Sequence, residues 1–158
     1  MPDMLVNLLK LPGLDTLVRS LNDNGITVRR ARPFEITPVR EFIQKNFSAA
    51  WADEISVGFA SKPVTVFIAT RAGRVIGFAG YECTCKAFFG PTGVAEDVRG
   101  QGIGKALLIA ALRGLRELDY AYGIIGAAGP TEFYQQAVAA IVIPDSEPGI
   151  YSDLLKQQ

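Results

Sequence analysis

Between Val94 and Leu115 the chain reads VAEDVRGQGIGKALLIAALRGL, with three glycines in five residues, Gly100, Gly102 and Gly104, running directly into an apolar helical stretch. A strand that enters a bare loop and leaves it as a helix narrows the available folds more than any other feature of this sequence. The first N–H groups of such a helix lack intrahelical acceptors and lie at the positive end of the helix dipole, which makes an anion site. Glycine removes the Cβ that would hold a phosphate off the main chain, and Arg99 and Lys105 add positive charge on either side. A diphosphate suits the loop; close packing of the helix on a sheet is the competing use of the same glycines.

Two familiar phosphate loops fit poorly. The nucleotide triphosphatase pattern G-x-x-x-x-G-K-[ST] fails because position 99 is Arg and the residue after Lys105 is Ala106, which has no hydroxyl for magnesium. The dinucleotide pattern G-x-G-x-x-G started at Gly100 meets Lys105 where its last glycine belongs, and no repeated βαβ unit leads into it.

The chain has no histidine. Ser–His and Cys–His nucleophile pairs, His-ligated metals and imidazole acid–base chemistry are thereby removed together. Sixteen basic residues balance sixteen acidic ones, so no overall positive charge favours a polynucleotide or an anionic membrane. No apolar run reaches the roughly 20 residues of a membrane-spanning helix, and the leucine-rich start carries Asp3 where a signal peptide wants positive charge. The expected setting is the cytoplasm. Cys83 and Cys85 have no second pair to complete a structural zinc site and read as reduced thiols; no metal is expected.

Strand and helix signals alternate along the 158 residues, which suit one domain. Residues 4–24 space their leucines as one or two short helices, broken at Pro12–Gly13, so residues 1–25 read as a helical appendage that packs on the domain, on a second subunit or on a partner. ITVRRARP (26–33) predicts a strand exposed on one side. A helix follows, with Thr37 as N-cap and Pro38 in its first turn, and a second short helix through SAAWADEISVGFAS. PVTVFIATR and RVIGFAGYECT flank a tight glycine turn as a hairpin. AFFGPTGV is a further strand, in which Pro91 marks an edge, a bulge or a break in pairing. After the loop helix, YAYGIIGAA predicts an apolar strand, PTEFYQQAV a short helix and AAIVI a final buried strand.

In these surroundings Arg99-Gly100-Gln101-Gly102-Ile103-Gly104 resembles the acyl-CoA loop of the GNAT superfamily of N-acyltransferases, [R/Q]-x-x-G-x-[G/A]. The resemblance extends over roughly residues 26–145, and the superfamily's Phe-Tyr pair falls on Phe133–Tyr134. It implies an α/β (α+β) fold: a central mixed, mostly antiparallel sheet flanked by helices, splayed between the two strands around the loop and its helix, with residues 26–158 as the acyltransferase domain. It also implies acetyl-CoA as cosubstrate, gripped by Thr92, Gly93, Val94, Ala95, Arg99, Gly100, Gln101, Gly102, Ile103, Gly104, Lys105 and Tyr134.

By the same resemblance, a neutral primary amine of a small molecule attacks the acetyl thioester directly in a ternary complex. Backbone N–H at or near Val94 stabilises the oxyanion, and the phenol of Tyr134 protonates the departing thiolate. The strand before the loop lacks the glutamate that many relatives use as base. Glu54, after Trp51, ranks first as a substitute and Glu82 second, since a carboxylate among apolar neighbours has its pKa raised; a water chain is the remaining route. Ala127–Pro130 lack the asparagine often found there, and Ala139–Ala140 stand for the usual Gly-Phe. These departures leave a second reading: a catalytically inactive coenzyme A-binding module acting as a sensor or assembly subunit. The leucine-rich start makes a homodimer the preferred oligomer.

Overall fold

The computed structural model describes residues 1–156. Its centre is a seven-stranded sheet in the order β2-β3-β4-β5-β6-β1-β7. In chain order the strands are β1 (Met4–Asn7), β2 (Ile26–Arg30), β3 (Val66–Arg71), β4 (Arg74–Tyr81), β5 (Phe88–Val94), β6 (Tyr122–Ile125) and β7 (Ile141–Val142). The helices are α1 (Asp15–Asp23), α2 (Ile36–Asn46), α3 (Ala49–Phe59), α4 (Ile103–Glu117) and α5 (Thr131–Val138). All neighbouring strands run antiparallel except β5 and β6. None of the described helices is long and apolar enough to cross a membrane.

Each face of the sheet buries its own apolar cluster. Beneath α1 and α4, Ile103, Leu107, Leu108, Ala111 and Leu115 of α4 pack on Met4, Val6, Ile26 and Tyr81. Beneath α2 and α3, Val39, Ile43, Ala52 and Ile55 meet Val66, Ile68 and Phe78. Removing each large side chain from water contributes about 1.5–3 kcal/mol, so the sheet is held from both sides. Gly114 in the last turns of α4 lets the helix approach the sheet, because the ring of Tyr81 lies where its Cβ would stand, well inside van der Waals contact. The hydroxyl of Tyr81 accepts from Nη1 of Arg30 at 2.5 Å.

Three local expectations are corrected. Residues 4–7 are a strand, not a helix, and join the sheet between β6 and β7. Met4 and Val6 are fully buried while Leu5 and Asn7 are half-buried. This period of two is too short to stand out from the leucine spacing around it; the helical reading holds for Asp15–Asp23. The last strand is short and exposed, Ile141 at 61% and Val142 at 41%, because among the described residues it pairs with β1 alone. Helix α2 starts at Ile36, with Glu35 rather than Thr37 at the N-cap, since the single turn Pro33–Glu35 already leads into it.

A candidate acyl-carrier cleft

Strand β5 carries two different edges. Along β4 it is paired from Phe89 to Val94, whereas its parallel ladder to β6 holds only at Phe88 and Phe89. From Gly90 onward the β6 side has no strand partner. The N–H of Ala95 donates to the carbonyl of Ile76 at 2.9 Å. Because hydrogen-bonded pairs alternate along an antiparallel ladder, Thr92 and Val94 aim their main-chain groups away from β4, toward the open side. The Val94 carbonyl accepts from Nε of Arg99 at 3.1 Å, which fixes the guanidinium beside the strand end.

The loop after β5 rises into α4 through two positive-φ glycines, Gly100 (84°) and Gly102 (87°), a conformation that side chains disfavour. Gly102 is the N-cap and supplies no side-chain bond, and the first helix bond runs from the Ala106 N–H to the Gly102 carbonyl at 3.0 Å. The N–H groups of Ile103, Gly104 and Lys105 are therefore left without helix acceptors, at the positive end of a helix of 15 residues.

Gly104 is the informative glycine. Its φ is not positive, and a Cβ built on it would meet only Val94 at 3.7 Å and Phe133 at 4.0 Å, ordinary van der Waals contact. The fold does not require glycine there. The space a side chain would enter is a cleft of about 660 Å3. The expected binding residues Thr92, Gly93, Val94, Arg99, Gly100, Gly102, Ile103, Gly104, Lys105 and Tyr134 all line it, whereas Ala95 and Gln101 do not. Phe47 lines it too, a residue that sequence reasoning misses. Its ring covers Gly93, closer than van der Waals contact to where a Cβ would stand, and stacks on Trp51 at 5.5 Å. A glycine inside a strand was the available signal for this close approach.

Tyr134, from α5, stands where the cleft meets a smaller recess of about 180 Å3; both are lined by Phe89, Thr92, Gly129 and Tyr134. The side chain is 6% exposed, and burial alone raises its phenol above the ordinary tyrosine value. It is therefore a neutral proton donor at pH 7. Its ring packs edge-on to Phe133 at 5.1 Å and Phe89 at 6.4 Å, which fixes its direction.

Neither Glu54 nor Glu82 lines the two spaces that Tyr134 borders. Glu82 is in a turn at positive φ, where Oε2 accepts from the Ala87 N–H at 2.7 Å and Oε1 from the Tyr120 hydroxyl at 2.9 Å. Both oxygens brace that turn. Glu54 accepts from the Thr84 hydroxyl, and neither carboxylate lines the cleft or the recess. Cys83 is buried, with its thiol pushed up to about 11 chiefly by desolvation, and is no nucleophile at neutral pH.

Residues 62–137 match the family model of the acetyltransferase (GNAT) domain. No curated protein matches the chain. Among solved structures, the glucosamine N-acetyltransferase region of a fungal multi-domain β-N-acetylglucosaminidase aligns over 90% of this chain and 19% of its own, at TM-score 0.72 and 18% identity. A GCN5-related N-acetyltransferase from Sphaerobacter thermophilus aligns over 90% of this chain and 48% of its own, at TM-score 0.64 and 17% identity. A GNAT family acetyltransferase from Brucella melitensis, in complex with acetyl-CoA, covers 70% of this chain and 80% of its own, at TM-score 0.56 and 20% identity. The chain thus spans about a fifth and about half of the first two. The fold laid out around the cleft is thus the GNAT fold, and the acetyltransferase (GNAT) domain model matches just under half of the chain, across the hairpin, the loop, α4 and most of α5.

Proposed function

We propose that the protein is an acetyl-CoA-dependent N-acetyltransferase acting on a primary amine of a small molecule, through a ternary complex. The observation that carries the reading is Gly104, whose missing side chain serves no packing purpose and opens the cleft floor beside three helix amides without partners. That cradle fits a diphosphate. Gly104 and Lys105 would hold it by their N–H groups, and Arg99 and the Lys105 side chain would add charge. Thr92 and Val94 would pair with an extended pantetheine arm along the open edge of β5, and the cosubstrate supplies an activated acetyl thioester.

The chain's own residues account for two steps. The Val94 N–H, aimed to the open side, is suited to the oxyanion, and donors of this kind are worth about 2.7–4 kcal/mol. Tyr134, neutral and lining both spaces, is suited to protonate the sulfur. A second reading, a coenzyme A-binding module without catalysis, is supported by one observation: neither Glu54 nor Glu82 lines the recess. A thiol-release assay with acetyl-CoA and a panel of small amines tests the proposal. Turnover of at least one amine is expected; coenzyme A binding without turnover of any would select the module.

A further inference from the structure

The recess beyond Tyr134 has a composition of its own. Its lining includes Trp51, Phe89, Pro91, Thr92, Ile125 and Tyr134, and no acidic or basic side chain is present among the lining residues. Met1 lines it as well, with its ammonium paired to Glu147. Its volume, about 180 Å3, is close to the roughly 150 Å3 of an apolar cavity that holds one benzene ring. Apart from the Trp51 indole N–H, only the hydroxyls of Thr92 and Tyr134 supply polar side-chain atoms. The Thr92 hydroxyl is already donated to the Phe78 carbonyl at 3.0 Å, leaving it an acceptor toward the recess.

These features decide what amine the space takes. An alkylammonium entering it would lose several kcal/mol of hydration with no carboxylate to compensate, of which a cation–π contact with Trp51 returns about 2 kcal/mol. At pH 7 an alkylamine with a lysine-like pKa of about 10.4 is neutral in only about one molecule in a few thousand. The recess offers no base to raise that share. An aromatic amine avoids both costs, because its lone pair is free and its ring is neutral at pH 7.

We propose that the acceptor is a single-ring arylamine bound in this recess, an inference that rests on the acetyltransferase reading above. The nitrogen lone pair forms the C–N bond to the acyl carbon and the C–S bond breaks. Tyr134 gives its phenol proton to the sulfur and recovers the proton that the nitrogen sheds. The products are an N-aryl acetamide and free coenzyme A, with no carboxylate base required. Tyr134 is positioned for both transfers because it alone of the titratable side chains lines both spaces.

The test compares aniline, benzylamine, glucosamine and spermidine as acceptors in thiol release, with calorimetry of coenzyme A on the same preparation. Aniline is expected to exceed the others in kcat/KM by about tenfold or more at pH 7, with a profile flat from about pH 6 to about pH 9, whereas benzylamine rises with pH. Trp51→Ala is expected to raise KM for aniline about tenfold and to admit 1-naphthylamine, with coenzyme A affinity within about twofold of the parent. Preference for glucosamine, spermidine or benzylamine overturns this inference and leaves the acetyltransferase reading standing. Coenzyme A binding with no amine turned over, or an unmoved KM in Trp51→Ala, overturns it as well. Failure to bind coenzyme A removes the acetyltransferase reading first.

Discussion

The two ends of α4 use the same residue for opposite purposes. Near its start, Gly104 faces open cleft, with nothing nearer than 3.7 Å to where a Cβ would stand; near its end, the Tyr81 ring presses on Gly114 and occupies the Cβ position outright. A tyrosine belongs to each setting, Tyr81 against Gly114 and Tyr134 in the cleft that Gly104 lines. Tyr81 is fully buried, its hydroxyl tied to Arg30, while the Tyr134 phenol borders two spaces and its pKa is moved by burial alone. A glycine whose Cβ would collide with the core keeps the fold together. One whose Cβ would project into an open cleft leaves room for a ligand.

Four substitutions press on that contrast. Tyr134→Phe should lower kcat by about a hundredfold to a thousandfold, with coenzyme A affinity and melting temperature unchanged, since the lost hydroxyl makes no hydrogen bond among the described residues. In the parent, activity should hold as pH rises past the ordinary tyrosine value and fall only above it, because the protonated phenol is the active form and burial raises its pKa. Steady-state kinetics against pH reads both. Gly114→Ala should destabilise by about 1–2 kcal/mol, because the extra methyl displaces a fully buried ring at a cost of up to about 3 kcal/mol and the gain in helix propensity of about 1 kcal/mol offsets only part of it. Denaturant unfolding measures this, and the folded fraction should bind coenzyme A as the parent does.

Tyr81→Phe should cost about 1.5–2 kcal/mol, the worth of a bond from a charged donor, and leave kcat within about twofold. A large fall in kcat here would break the comparison, since it would make the packed tyrosine part of the chemistry. The fourth substitution, Gly104→Ala, places a methyl in the open cleft.

Much of this arrangement was legible in one dimension. The glycines from Gly100 to Gly104, with Ile103, Leu107, Ala111 and Gly114 at helical spacing, predicted the loop and α4, while Phe47 beside the cleft went unseen. The Ala72–Gly73 turn between two β-branched runs predicted the hairpin of β3 and β4. What was illegible depends on neighbours distant in sequence. Strand β1 reads as helix because four residues are too few for a period of two to show, and it is fixed only by pairing with β6 and β7, which lie more than 110 residues later. The seats of Glu54 and Glu82 were equally hidden: Thr84, Ala87 and Tyr120 hold their oxygens, and nothing local in the chain announces those partners. Gly104 and Gly114 look alike as letters, and only the ring of Tyr81 separates their roles.

The most direct measurement is calorimetry of coenzyme A on the parent and on Gly104→Ala, with thermal unfolding of both. Binding by the parent is expected, with a loss of tenfold or more in the variant, about 1.4 kcal/mol, and an equal or higher melting temperature from better helix propensity. Equal affinity in the two proteins, or no binding by the parent, would contradict the role given to Gly104.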